Sequence, residues 1–275
     1  MSKASRLWGF ALGLIGPKIA RSRTGKYWLH ELSNHKSFQP LYNIMADRVP
    51  ASLHLLQQGG FAPEIVVDIG AHSGEWTKMA LPLFPEARFI MIEAQPDKED
   101  LIKQACTLDP SRIDYEIGLL GAENKETVDF FLLDLGSSIY IENTSFPREC
   151  VSLPMLTLDA VLAQHAAVGT SFLKLDVQGA ELDVLAGAQR TLKHTDVILL
   201  EASLVEFNRG APRIADVIAR MRELDFLLYD ICDLKRIGPV LAQTDMIFVR
   251  RGSMLDVQAQ NTIRNWGAPS QSSSC

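Results

Sequence analysis

Carboxylates recur where the apolar runs of this sequence end, and that placement is the first sign of chemistry. Glu93 follows Phe89-Ile-Met-Ile92, Asp176 follows Phe172-Leu-Lys-Leu175, and Glu201 follows Val197-Ile-Leu-Leu200. Glu181 stands five residues beyond Asp176, and Asp68 sits within Ile65-Val-Val-Asp68-Ile69. A carboxylate at a strand end can take a proton from a reacting group, accept hydroxyl hydrogens or cap a turn. Asp176, Glu201 and His72 are the candidate catalytic residues, His72 because an imidazole titrates near neutrality. Each has a quieter alternative: a turn cap for Asp176, a solvated strand end for Glu201, a turn histidine packed on the sheet for His72. For Glu181 the alternative is complementing a helix dipole. Lys174, inside its strand, is better placed to pair with an acid than to react.

The elements that must position these groups alternate in type. Short β-branched runs predict strands over 65–69, 88–93, 114–118, 171–176, 197–201, 226–230 and 246–249. Helical stripes lie between them: Leu101, Ile102, Ala105 and Leu108 behind Pro96, and Ile214, Val217, Ile218, Met221 and Leu224 behind Pro212. This alternation predicts an α/β fold of Rossmann-like type, a mostly parallel seven-stranded sheet with helices on both faces. Residues 121–157 interrupt it with a strand-like stretch at 127–133 and a polar one at 136–147, which either frames the mouth of a site or protects a sheet edge. Gly187 marks close packing or an imperfect helix. The expected organisation is a basic arm and helical extension over 1–60, a core over 61–251 and a tail over 252–275 with a disordered end at 267–275.

Asp68-Ile-Gly70-Ala71-His72-Ser-Gly74 runs a strand into a glycine-punctuated turn. Ligands of open parallel sheets bind at such strand ends, where glycine keeps side chains away from the ligand. A dinucleotide fingerprint needs glycine at 70, 72 and 75, whereas this chain has His72 and Glu75. Glu75 also puts a negative charge where a pyrophosphate needs free N–H groups. S-adenosylmethionine, cationic and without phosphate, is the better electrostatic match, and Glu93 is placed to accept its ribose hydroxyls. An acid at that strand end also occurs in NAD folds.

Three blocks resemble the FkbM-type S-adenosylmethionine-dependent methyltransferases: Asp68-Ile-Gly70-Ala-His-Ser-Gly74, Ile92-Glu93-Ala-Gln-Pro96, and Lys174-Leu-Asp176-Val-Gln-Gly179-Ala-Glu181-Leu-Asp-Val-Leu185-Ala-Gly187. The last carries the K-x-D-x-x-G-x-E spacing. The sequence departs from the pattern at His72 for Asn, Ala94 for Pro and Gln178 for Glu, and Leu119 and Leu120 stand where a polar residue often meets adenine. The resemblance implies a class I methyltransferase fold and methyl transfer to a hydroxyl of a sugar, glycolipid or related natural product. The expected cofactor-binding set is Asp68, Gly70, Ala71, His72, Gly74, Glu93, Gly118 and Asp176. Asp176 and Glu201 could instead hold Mg2+, but two carboxylates are a weak metal signal and no metal is expected. A catalytically silent S-adenosylmethionine-binding protein and a nicotinamide-dependent enzyme on a similar fold remain as alternatives.

Composition bounds the rest. With 47% hydrophobic and 22% charged residues the chain is neither disordered nor fibrous in type, and no apolar run of membrane-spanning length occurs. Four scattered cysteines fit neither a zinc ribbon nor a disulfide framework, so a cytoplasmic setting is expected. The net charge of −6 conceals an asymmetry: residues 1–30 carry six cations and no acid. Interleaved with Trp8, Phe10, Tyr27 and Trp28, those cations make the arm a candidate for peripheral contact with an anionic membrane face, or a segment packed over the core. No nucleic-acid partner is expected for so acidic a body.

Overall fold

The computed structural model describes residues 49–167, 169 and 171–266. The chain divides into two units between Ala51 and Ser52, and the second holds the sheet. The basic arm and residues 267–275 lie outside the described residues, as do the expectations of membrane contact and of a disordered end.

In chain order the strands are β1 (Ile65–Ile69), β2 (Arg88–Glu93), β3 (Ile113–Ile117), β4 (Leu119–Leu120), β5 (Lys125–Leu132), β6 (Glu149–Leu156), β7 (Ser171–Leu175), β8 (Thr195–Ser203), β9 (Phe226–Ile237) and β10 (Val240–Arg250). The helices are α1 (Val49–Gln58), α2 (Glu75–Ala80), α3 (Glu99–Cys106), α4 (Leu158–Gln164), α5 (Glu181–Ala186), α6 (Ile214–Glu223) and α7 (Met254–Arg264). Seven strands form one sheet in the order β3-β2-β1-β7-β8-β10-β9, parallel except for β10. β1 and β7 are buried at every position, so both faces of the sheet are covered, which is why their sequences read as continuous apolar runs. β4, β6 and β5 form a separate small sheet around Leu119, Phe130 and Met155. This is the insertion whose polar stretch interrupts the alternation.

Register sets up the chemistry. Leu175 pairs with Leu200, so Asp176, just past the end of β7, stands beside Glu201 of β8. Glu201 pairs in turn with Asp245 of β10, and Asp245 with Asp233 of β9. One row across four strands thus collects four acids.

Some local expectations need correction. Leu101 and Leu108 face solvent at 42% and 56% exposure, because α3 buries only Ile102 and Ala105 against the sheet. Ile218 is likewise exposed, while Val217 and Met221 are buried. β9 and β10 run to 12 and 11 residues, far beyond the short strands the sequence suggests, because each pairs along the other. Of the two readings of Gly187, close packing holds: it ends α5, and a Cβ there would lie 2.2 Å from the carbonyl oxygen of Gly121.

Candidate active site

A cavity of about 250 Å3 opens at the carboxyl ends of β1, β2 and β7. Its wall is made by Gly70 to Ser73 after β1, Glu93 to Gln95 after β2, and Asp176 to Gln178 after β7. Leu119, Leu120 and Phe130 supply an apolar side, and residues of the 134–139 stretch close the mouth. The insertion therefore frames the site.

The glycine turn is shaped by the protein itself. Gly70 has φ +74°, and a Cβ there would sit 2.0 Å from the carbonyl oxygen of Asp176, so the glycine lets the β1 and β7 ends meet. Gly74 similarly lets α2 approach Ala105 and Met91. Four of the turn's N–H groups are engaged: those of Gly70 and Ala71 on the Ile92 carbonyl, that of His72 on Glu93 Oε2 at 2.7 Å, that of Gly74 on the Ala71 carbonyl. Glu93, 5% exposed, also accepts at Oε1 from the Gln95 backbone N–H at 2.9 Å and from Gln95 Nε2 at 3.2 Å. A carboxylate offers about four acceptor sites. Three are filled, leaving capacity on Oε2 for a hydroxyl.

Behind the turn, Lys174 Nζ lies 2.9 Å from Asp68 Oδ1 and donates to the Gly70 carbonyl at 3.0 Å. Thr77 donates to the other Asp68 oxygen at 2.8 Å. Lys174 is 7% exposed, and although burial works against its charge, Asp68 and Asp176 hold its ammonium above the ordinary lysine range. This is the pairing expected of a lysine inside a strand.

Asp176 lies in the cavity wall, its Oδ1 accepting from Gln178 Nε2 at 2.8 Å. The same Nε2 reaches Glu201 Oε1 at 3.2 Å. Glu201 is only 4% exposed, not a solvated strand end: Lys235 Nζ contacts its Oε2 and Gln243 Nε2 donates to Oε1 at 2.5 Å. Burial, reinforced by Asp176, pushes its carboxyl up to about 8 against the pull of Lys235. Burial likewise raises Asp245 to about 6. Glu181 accepts from the N–H groups of Val177 at 3.0 Å and Gly179 at 3.3 Å, holding the turn after β7 from behind, and burial pushes it up to about 7.

The 134–139 stretch is tied down on three sides. Asp134 Oδ1 lies 2.8 Å from His72 Nε2 and 2.6 Å from Lys98 Nζ, which together hold its carboxyl down to about 2, Lys98 contributing most. Ser137 donates to Gln95 Oε1 at 3.0 Å, and Ser138 to the Gln178 carbonyl at 2.9 Å. The strap thus joins the ends of β1, β2 and β7 over the cavity.

Of the residues singled out from sequence, Gly70, Ala71, His72, Glu93, Gly118 and Asp176 line the cavity. Asp68, Gly74 and Glu201 stand behind its wall. Sequence reading missed the two amides, Gln95 and Gln178, and the strap residues Asp134, Ser137 and Ser138. Their signals were the Gln178 departure from the family pattern and the polar composition of 136–147. Among the described residues no group of three or more His, Cys, Asp or Glu is arranged to hold a metal ion, and no helix is long and apolar enough to cross a membrane.

No curated protein matches the chain. Among solved structures, it is similar to precorrin-6y C5,15-methyltransferase from Geobacter metallireducens, at 11% identity and TM-score 0.43, covering 75% of this chain and 90% of that one. It is similar to an S-adenosylmethionine-dependent methyltransferase from Clostridium acetobutylicum, at 8% identity and TM-score 0.42, covering 78% and 98%. A third is magnesium protoporphyrin IX methyltransferase from Synechocystis, solved with S-adenosylmethionine bound, at 10% identity and TM-score 0.41, covering 84% and 93%. The model of the methyltransferase FkbM domain matches residues 68–228, from within β1 into β9 and over more than half of the chain. The protein belongs to the FkbM methyltransferase family.

Proposed function

We propose that the chain transfers a methyl group from S-adenosylmethionine to a hydroxyl oxygen of a sugar, glycolipid or related natural product, without a required metal and without a nucleic-acid partner. The observation that carries this reading is the turn after β1. Its N–H groups at 70, 71, 72 and 74 are engaged within the protein, so it offers no cradle for a pyrophosphate, while Glu93 and Asp176 present carboxylates to the cavity. That pattern suits a cationic, phosphate-free nucleoside and disfavours a nicotinamide dinucleotide. When bound, S-adenosylmethionine supplies an electrophilic methyl on a sulfonium.

The residues divide the work. Glu93 receives the ribose hydroxyls through the remaining capacity of Oε2, and Ile92, Leu119, Leu120 and Phe130 give an apolar slot for the base. Gly70, Ala71 and Gly118 shape the backbone around it, with Asp68 and Gly74 supporting from behind. Asp176 takes the acceptor proton, since an alcohol is a poor nucleophile until deprotonated, and His72 is the second candidate base. The enzyme works in the cytoplasm, the six cations of residues 1–30 favouring contact with the inner membrane face.

The test is transfer of labelled methyl from S-adenosylmethionine to fractionated cell glycans and lipids, with the product identified by mass spectrometry. Asp176→Asn lowers turnover at least ~10²-fold, the lower end for a lost general base, and leaves S-adenosylhomocysteine affinity nearly unchanged. Cofactor binding without transfer to any fraction identifies a silent binding protein. Binding of NAD(P) in place of S-adenosylhomocysteine identifies a nicotinamide enzyme.

A further inference from the structure

Gln178 occupies an unusual position. It has φ +54°, in the left-handed region that non-glycine residues rarely adopt, and it is followed by Gly179 at φ +100°. The Ser138 hydroxyl holds its carbonyl from the strap, and its side-chain nitrogen lies between two carboxylates on adjacent strands. One of these, Asp176, is in the cavity wall; the other, Glu201, is enclosed behind it with Lys235 and Gln243. A carboxylate at 178 would present a third acceptor to two acceptors. An amide instead donates to both.

We propose that Gln178 is a positioning residue: its amide nitrogen ties Asp176 to Glu201, so that the Glu201–Lys235 pair behind the wall governs the orientation of the carboxylate facing the reacting methyl. This rests on the assignment of Asp176 to the methyl-facing wall made above. The charged groups around Asp176 come from every neighbouring element. Lys174 on β7 is balanced by Asp68 and Glu93, and Glu181 stands on α5. Glu201 on β8, Lys235 and Asp233 on β9, and Asp245 on β10 complete the set. Lys235 is the cation on the β9 side of this set, and its route to Asp176 by contact runs through Glu201 and the Gln178 amide.

The reporter is the ratio of affinities for S-adenosylmethionine and S-adenosylhomocysteine, measured by calorimetry on the full chain at neutral pH. The two ligands differ by the methyl and the sulfonium charge, so the ratio reads negative charge at the sulfur independently of any acceptor. Asp176→Asn abolishes the preference for the cation, which establishes that the ratio reports Asp176. Lys235→Gln and Gln178→Ala each weaken the preference several-fold, since each loosens the contacts that hold the Asp176 carboxylate in place. The double variant weakens it no further than Gln178→Ala alone, because the link is already broken. Lys235 lies outside the cavity wall, so its variant tests the idea even where Gln178→Ala disturbs the turn. An unchanged preference in Lys235→Gln, or effects that add in the double variant, overturns the proposal. Persistence of the preference in Asp176→Asn overturns it too, while leaving the assignment of the cofactor intact. Absence of binding of both ligands to the wild-type protein removes the functional reading and this inference with it.

Discussion

The two halves of the strand ends are built from different bonds. After β1 and β2 the polar groups are answered by backbone: the Gly70 and Ala71 N–H groups by Ile92, and Glu93 by the His72 and Gln95 amides. After β7, β8 and β10 they are answered by side chains: Asp176 by Gln178, and Glu201 by Gln178, Lys235 and Gln243. A backbone-built half has one shape and little freedom to change its charge. A side-chain-built half holds several buried acids whose protonation depends on one another. The first half suits recognition of an invariant nucleoside, and the second suits a step in which a proton moves.

The largest effect separating the halves comes from Gly70→Ala. The new Cβ would lie 2.0 Å from the Asp176 carbonyl oxygen at a residue with φ +74°. Strained backbone and overpacking together are expected to cost about 3 to 4 kcal/mol, seen as a lower midpoint in urea unfolding or failure to fold. A loss below ~1 kcal/mol would show that the strand ends can part, and the backbone half would not be rigid.

The next effect comes from Glu181, which holds the turn after β7 through backbone N–H groups. Burial raises the folded pKa of Glu181 to about 7 from the ordinary glutamate value of 4.5. The folded state therefore holds a proton that the unfolded state releases in that window. Stability from this group is present below about pH 4.5 and is lost as pH rises toward 7, an effect on the order of 2–3 kcal/mol. Glu181→Gln keeps an oxygen to accept from Val177 and Gly179 but cannot titrate. Denaturant unfolding from pH 5 to 8 should show a shallower decline than in the wild-type protein. The slopes of Glu201 and Asp245 remain. Identical slopes in the two proteins would place the pH sensitivity elsewhere.

The same division explains what the sequence made legible. Five strands of the parallel core stand close to where apolar runs predict them, and the glycine turn, Glu93 and Asp176 converge on one cavity because chain-local motifs position them. Lys174 pairs with an acid, as an interior lysine must. What stayed hidden depends on pairing between distant segments. Glu201 reads as exposed because β10 inserts antiparallel beside β8 and brings Gln243 and Asp245 against it, with Lys235 arriving from β9. Charges at Asp233, Lys235 and Arg236 interrupt the apolar signal of β9, so the strand seems to stop before the residue that matters most to Glu201. Gly70 carries a second requirement that no local motif reveals, since the Asp176 carbonyl oxygen it makes room for lies over 100 residues away in the chain.

The smallest effect concerns the strap that spans both halves. Asp134 has φ +49° and bridges His72 and Lys98, yet its side chain is 65% exposed. Screening limits such pairs to about 0.5 kcal/mol or less. Asparagine tolerates the left-handed conformation and keeps an acceptor oxygen, so Asp134→Asn should hardly alter global unfolding. What it removes is charge at the one point where the strap meets the β1 turn. The amides of Gly136 and Ser138, which donate to the Leu133 and Phe131 carbonyls, should then exchange with solvent several-fold faster, while those of Gly70 and Ala71 keep their protection. Because the Asp134 carboxyl is held down to about 2, its contribution is present above about pH 3.8 and lost as pH falls toward 2. Wild-type strap amides should accelerate over that acidic interval and the variant's should not. Equal exchange in both proteins at neutral pH would assign the strap to Ser137 and Ser138 alone, anchored on Gln95 and Gln178, and would leave the charge at Asp134 without a structural task.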